Sequence, residues 1–280
     1  MLELSQFERN VTSQNGEDGV LAEVFRRIGA ITNSCIEFGA WDGKHLSNTW
    51  TYWAEQGWKS LLIEGDPVKF EDLKSSTSGF PNVIAACRFV RNSGPDTLDQ
   101  IAKEVNFPLC PDLLSIDIDS DDLSVFESLN VLKPRVVVIE YNPTIPPFME
   151  FQQSPGENLG ASARSICAFA AAGGFRLCHI TRTNLIFVTS EEFPNLGIQE
   201  PSLLLDFPVD HLSFVIIGYS GETYVTRGRL PYHPSQLRGS WWPHLRILAR
   251  QFRSWITRRC RLSTRSDGLI PVDVTMRIDH

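Results

Sequence analysis

Carboxylates and small residues gather at the ends of four apolar runs in this sequence, so those ends are the first places to look for chemistry. The first run closes in Glu37-Phe38-Gly39-Ala40-Trp41-Asp42-Gly43, an E-x-G-x-x-x-G pattern. Gly39 and Ala40 are small enough for a ligand to approach the backbone, and an acid at Glu37 or Asp42 can hold an ammonium group. The pattern differs from the G-x-G-x-x-G that sets a helix N-terminus on a pyrophosphate, which argues against a dinucleotide. The second run closes in Ile63-Glu64-Gly65-Asp66-Pro67. That puts a carboxylate where a ribose diol would sit, with Glu64 at the strand end and Asp66 beside it.

Two further ends carry acids: Ser115-Ile116-Asp117-Ile118-Asp119-Ser120-Asp121-Asp122 and Glu140-Tyr141-Asn142-Pro143-Thr144. Strand alternation sets Asp117 with Asp119 on one side, and Glu140 with Asn142 likewise. One mechanism has Mg²⁺ held by Asp119, Glu140 and Asn142 to acidify an acceptor hydroxyl. The other has Asp119 as a general base with Glu140 and Asn142 orienting the acceptor and no metal. Asp117, flanked by isoleucines, reads first as an acceptor of loop amides and second as a contact of the bound cofactor. His45, after the glycine turn, and His179, ending a later strand, are candidate bases, each weighed against an ordinary structural role.

Positioning these ends requires a doubly wound, mostly parallel seven-stranded α/β sheet. Its strands are expected at Ser34 to Gly39, Ser60 to Glu64, Val83 to Phe89, Leu113 to Ile118, Arg135 to Tyr141, Phe175 to Ile180 and Leu185 to Val188, the last two as a hairpin. Helical character is read over 45–56, 67–76, 95–105, 121–130 and 161–172. Ahead of the sheet, Val20, Leu21, Val24, Phe25 and Ile28 share a helical face that ends on Gly29. The segment from Asn142 to Arg164, with its Gln152-Gln153 pair, is long for a connection and reads as a lid or acceptor pocket. After residue 190 come two strand-like runs, 212–217 and 222–226. The expected organisation is residues 1–190 as the catalytic domain, 191–238 as accessory strands and loops, and 239–280 as a basic amphipathic tail.

Ser13-Gln14-Asn15-Gly16-Glu17-Asp18-Gly19, the EFGAWDG run followed by Ser47-Asn48-Thr49, LLIEGDP, LLSIDID and VVVIEYNPTIPP together resemble the FkbM-type methyltransferases. The resemblance spans roughly residues 12–190. It implies a Rossmann-like class I methyltransferase fold and S-adenosylmethionine as cofactor, with Glu37, Gly39, Asp42, Gly43, Asn48, Glu64 and Gln14 as cofactor contacts. It also implies O-methylation of a hydroxyl on a sugar, a glycan or a glycosylated metabolite. The competing reading is a catalytically idle Rossmann-like binding or scaffolding protein, against which the acids kept at three strand ends speak. Asn48 and Thr49 have a structural alternative as caps of the following helix.

The net charge of −7 hides an asymmetry, because residues 229–266 hold nine arginines and no acid, leaving 17 basic against 33 acidic residues elsewhere. Within 241–262, Trp242, Leu245, Leu248, Phe252 and Trp255 share a helical stripe flanked by Arg246, Arg250 and Arg253. That stripe suits docking on the acidic body or lying on an anionic membrane surface. Nucleic acid is not expected as a partner, since the body would repel it. A homo-oligomer is compatible with these features. Cysteines at 35, 87, 110, 167, 178 and 260 form no C-x-x-C pair, and Cys35, Cys87 and Cys178 fall in apolar runs, reading as buried reduced thiols. With no apolar leader and no run long enough to span a bilayer, the chain is expected in the cytoplasm, with the tail allowing a peripheral place at the inner membrane surface.

Overall fold

The computed structural model describes residues 3–118, 120–154, 157–212 and 219, together with the backbone of 215–217, 223–225 and 271–272. It divides into two compact units, Met1–Pro208 and Val209–His280. The stripe at 241–262 and Asp119 lie outside the described residues.

Helix α1 (Glu17–Ile28) opens the first unit with acids at its positive end, Glu17 and Asp18, and basic residues Arg26 and Arg27 in its last turn. Gly29 ends it with φ 66°, a left-handed conformation that glycine adopts freely. Seven strands follow: β1 (Ser34–Phe38), β2 (Lys59–Glu64), β3 (Val83–Cys87), β4 (Leu113–Ile116), β5 (Val136–Glu140), β6 (Phe175–Ile180) and β7 (Asn184–Thr189). Between them run α2 (Pro67–Thr77), α3 (Leu98–Glu104), α4 (Asp122–Glu127) and α5 (Ala163–Ala172). The sheet order is β3-β2-β1-β4-β5-β7-β6, with β7 antiparallel to both neighbours and every other pairing parallel. This is the doubly wound sheet expected from the apolar runs. The order reverses between β1 and β4, so the crevice that open α/β sheets use for ligands lies at the carboxyl ends of those two strands. In the second unit, β8 (Val215–Ile217), β9 (Thr223–Val225) and β10 (Pro271–Val272) form an antiparallel sheet in the order β10-β9-β8.

Alternation along the strands builds the core. Cys35, Leu113, Val136, Val138, Ile186 and Val188 face α1 and bury Val20, Leu21, Val24 and Phe25. Fully burying each aliphatic or aromatic side chain is worth about 1.5–3 kcal/mol. α4 and α5 meet through Phe126, whose ring stands edge-on to Phe169 at 5.1 Å and to Phe175 at 5.7 Å.

At the amino edge, the fully buried Asp112 accepts the amides of Thr32 (2.8 Å) and Asn33 (2.7 Å) and pairs with Arg135 at 2.7 Å. Burial works against its charge, but Arg135 and the amides of Ile31 and Thr32 outweigh it and hold the carboxyl below the usual aspartate range. Arg135 also reaches Glu192 and the carbonyl of Gly29, so it ties α1, β4, β5 and the segment after β7 together. Arg135→Leu leaves Asp112 buried without its cation and is expected to lower stability by about 3 kcal/mol in urea unfolding. A loss under about 0.5 kcal/mol would mean that the amides alone hold the charge.

Three expectations differ from the structure. Residues 45–56 do not form a helix. Leu46 sits at φ 58°, 47–49 turn toward Glu37, and only a π-helical turn at Thr51–Glu55 follows. β4 and β5 end at Ile116 and Glu140, so Asp117 and Asn142 belong to loops and are not aimed by strand alternation. Cys87 is exposed, because β3 is the edge strand of the sheet.

Candidate active site

Glu37 and Ser115 are paired across β1 and β4, Ser115 with Val138 across β5, and Val138 with Ile186 across β7, so all four share the face that α1 covers. Two residues further along that face, Glu140 pairs with Asn184. An apolar ladder thus becomes polar as it reaches the carboxyl edge, beneath the N-terminus of α1.

Glu37, Glu17 and Asp18 accept from neutral donors there. Glu37 accepts the hydroxyls of Ser47 and Thr49, each at 2.6 Å, and the amide of Asn48 at 2.8 Å. Asn48 in turn donates to Ser115 Oγ at 3.0 Å, joining the loop after β1 to β4. Ser47 Oγ accepts the amides of Thr49 and Trp50, so the cap of this turn is Ser47 and neither Asn48 nor Thr49, for which capping was the structural alternative. Glu17, fully buried, accepts from Thr181 (2.7 Å), Asn184 (3.0 Å) and the amide of Asn15 (2.7 Å). Asp18 Oδ2 gathers the three successive amides of Val11, Thr12 and Ser13 at 2.7–2.8 Å. Its buried Oδ1 and the buried hydroxyl of Tyr52 have no partner among the described residues. Glu17 and Asp18 are further offset by the helix N-terminus.

Residues 10–16 cross this edge. Thr12 Oγ1 donates to the carbonyl of Ser47 (3.0 Å) on the β1 side, and Asn15 Nδ2 donates to Thr183 Oγ1 (2.9 Å) in the β6–β7 hairpin. Gln14 lies on this crossing with its side chain exposed. The chain also passes close at Gly19, where a Cβ would stand 1.9 Å from the carbonyl oxygen of Phe7.

Burial pushes the Glu37 carboxyl above the usual glutamate range in spite of its donors. The folded state therefore binds a proton more readily than the unfolded chain does. The resulting penalty is absent below the ordinary glutamate pKa and grows as pH rises through the folded value. The stability of the wild type minus that of Glu37→Gln is expected to shrink as pH rises above the ordinary glutamate pKa, about 4.3. A difference that widens with pH would show the donors outweighing burial.

Glu64, at the end of β2, accepts the amide of Trp41 on Oε2 and that of Asp66 on Oε1, each at 2.8 Å. A carboxylate has about four acceptor positions, so two remain. Asp66 is exposed and caps α2 by accepting the amides of Val68 and Lys69. The loop after β1 is held in unusual backbone: Gly39 at φ 77°, Trp41 at 44°, Gly43 at 78° and Leu46 at 58°. A non-glycine residue in this region costs roughly 1–2 kcal/mol, so Trp41 and Leu46 are strained. What approaches Gly39 is protein: a Cβ there would fall 1.8 Å from the carbonyl oxygen of Asp117. Gly43 packs against Leu73, Trp53 and Leu62, and buried Ala40 donates its amide to Ile63. Asp42 Oδ1 accepts the amides of Lys44 and His45, and His45 lies exposed with its ring edge-on to Trp41.

On the β5 side, Glu140 ends its strand, whereas the half-buried Asn142 is bonded within its own loop. Its Oδ1 accepts the amide and hydroxyl of Thr144, and its Nδ2 donates to the carbonyl of Leu159. The segment 142–162 is pinned to α4 and its N-cap: Gln152 donates to Glu127 (3.0 Å) and Gln153 to Asp121 (2.7 Å). His179 is mostly buried and bonded to Glu8 at 2.9 Å. Among the described residues, no three His, Cys, Asp or Glu side chains are arranged to hold a metal ion. Asn142 Oδ1 would have to release both donors to become a ligand, so the described residues do not fit Mg²⁺. Glu17 and Asp18 stand in the run that carries the family resemblance but were assigned no role, and Asn184 was not singled out from the sequence. Glu17 and Asp18 had a signal there, as acids on the apolar stripe that continues through Val20, Leu21, Val24 and Phe25.

No family model and no curated protein matches the sequence. Among solved structures, an O-methyltransferase from Bacillus cereus in complex with S-adenosylhomocysteine is similar, with TM-score 0.44 and 14% identity over 66% of this chain and 86% of that one. A SAM-dependent methyltransferase from Aquifex aeolicus gives TM-score 0.39 and 13% identity over 66% and 95%. A putative RNA methyltransferase from Pyrococcus horikoshii gives 0.37 and 14% over 66% and 92%. Values this low add nothing to the sheet order described above.

Proposed function

We propose that the chain is an S-adenosylmethionine-dependent methyltransferase of the FkbM type that methylates a hydroxyl of a sugar, glycan or glycosylated metabolite. The observation that carries this reading is the charge at the crevice. Three buried carboxylates lie along the carboxyl edge, Glu37 and Asp18 on the β1 side and Glu17 over the β6–β7 hairpin, and among the described residues none of them is in an ion pair with Lys, Arg or His. Such a field favours a cationic ligand over a phosphate. Glu64, with unused acceptor capacity at the end of β2, suits a ribose diol.

Bound at this edge, the cofactor supplies a methyl group on a positively charged sulfur. The residues have two tasks: to hold the acceptor oxygen in line with that methyl, and to take its proton as the new O–C bond forms. Asp119, which follows β4 in the sequence, is assigned the proton, and Glu140 the orientation of the hydroxyl. Asn142 supports the acceptor wall, through Thr144 and Leu159. Calorimetric titration of the purified protein with S-adenosylhomocysteine tests the reading. Micromolar binding supports it, and no binding by the folded protein would favour the idle scaffold.

A further inference from the structure

The loop after β1 has an outer side as well as the side facing the crevice. There Trp41, Asp42 and His45 from the loop and Asp72, Ser75 and Ser76 from α2 line a shallow cleft of about 500 Å³. In the sheet order, α2 and β2 flank β1 on the side away from β4 and β5, so the cleft is separate from the place assigned to the reacting hydroxyl.

Its chemistry is specific. Trp41 is 41% exposed although it is the bulkiest side chain of the loop. Its backbone keeps a left-handed conformation that Gly39 and Gly43 beside it adopt without strain. Strain of this kind persists where the structure around it over-determines the residue, and it concentrates at binding sites. Here the Trp41 amide is bonded to Glu64, and the ring is braced by Lys69 Nζ at 4.8 Å from its centre and by the His45 ring at 4.9 Å. Asp42 is anchored through Oδ1 alone. The exposed Asp72 carboxylate has no partner among the described residues. The single Ser76 hydroxyl hydrogen is shared between the carbonyls of Asp42 (2.6 Å) and Leu73 (2.9 Å), and the oxygen's lone pairs remain to accept a bond.

An aromatic wall, two carboxylates with acceptor capacity and two serine hydroxyls match a neutral pyranose. The C–H face of the sugar is apolar and packs on an aromatic ring, while its hydroxyls donate to carboxylates in charge-assisted bonds. An anion would meet Asp42 and Asp72, and a cation would compete with Lys69 for the ring.

We propose that this cleft is a saccharide subsite that holds a sugar unit other than the one carrying the reacting hydroxyl. Only its description as part of an acceptor site rests on the methyltransferase reading. The binding site itself stands on the cleft.

The test is an array of neutral oligosaccharides probed with the wild type, Trp41→Gly and Asp72→Ala, followed by calorimetric titration with the best-retained glycan. S-adenosylhomocysteine is titrated in parallel. Glycine accepts the backbone angle at position 41, so Trp41→Gly should fold, which its melting curve checks. The expected result is retention of at least one glycan, about tenfold weaker binding in both variants, and unchanged S-adenosylhomocysteine affinity in Asp72→Ala. Failure of the wild type to retain any glycan, or binding that survives both substitutions, overturns the subsite. Glycan binding without S-adenosylhomocysteine binding would instead keep the subsite and remove the methyltransferase reading.

Discussion

Gly39→Ala is expected to destabilise the first unit by about 3 kcal/mol or more, a larger loss than any other single methyl addition in the loop after β1 should produce. Two effects add. At φ 77° an alanine sits in the left-handed region, costing roughly 1–2 kcal/mol. The new Cβ would also fall 1.8 Å from the carbonyl oxygen of Asp117, and that neighbour is backbone, with no rotamer to swing aside. Relief requires β1 and β4 to part at their carboxyl ends, which breaks the Asn48–Ser115 bond and shifts the crevice. Gly57 separates the two effects, since its φ is 70° and a Cβ there meets nothing within 4 Å. Gly57→Ala should therefore show the conformational cost alone. Urea unfolding of the two variants measures the difference, and equal losses would mean that the strand ends yield easily.

The elements of the sheet were readable because their apolar runs are long and their separations are regular. Phe175–Ile180 is found where expected, and α1 ends on the glycine that its pattern indicated. Harder to read were features set by partners distant in sequence. The stretch 45–56 has helical composition, yet Ser47, Asn48 and Thr49 are drawn to Glu37, and no local propensity competes with a buried carboxylate that must find donors. Asp117 looked like a strand residue because two isoleucines flank it, but β4 ends earlier and its carbonyl closes on Gly39. Cys87 looked buried because its run is apolar, and only the strand order reveals that β3 is an edge. The left-handed Trp41 could not be anticipated, since sequence rules reserve that conformation for glycine, asparagine and aspartate. Its amide bond to Glu64 joins the two segments that sequence patterns had marked separately as a ligand site.

Removing the Glu64 carboxylate should weaken S-adenosylhomocysteine binding by about a hundredfold, or about 3 kcal/mol, the worth of two hydroxyl-to-carboxylate bonds. Asp66→Ala should leave affinity unchanged. It removes the α2 cap, whose side chain accepts the amides of Val68 and Lys69, and should lower stability by about 1 kcal/mol. Glu64→Ala also frees the amide of Trp41, so weaker binding could arise from a relaxed loop instead of a lost diol contact. An analogue of S-adenosylhomocysteine without ribose hydroxyls distinguishes the two causes. If the carboxylate holds the diol, the wild type should bind this analogue about as weakly as Glu64→Ala binds the parent compound, and the substitution should then add little further loss. If the loop is the cause, Glu64→Ala should weaken both compounds equally. If Asp66→Ala loses affinity while Glu64→Ala keeps it, the diol belongs two residues further along, at the N-terminus of α2.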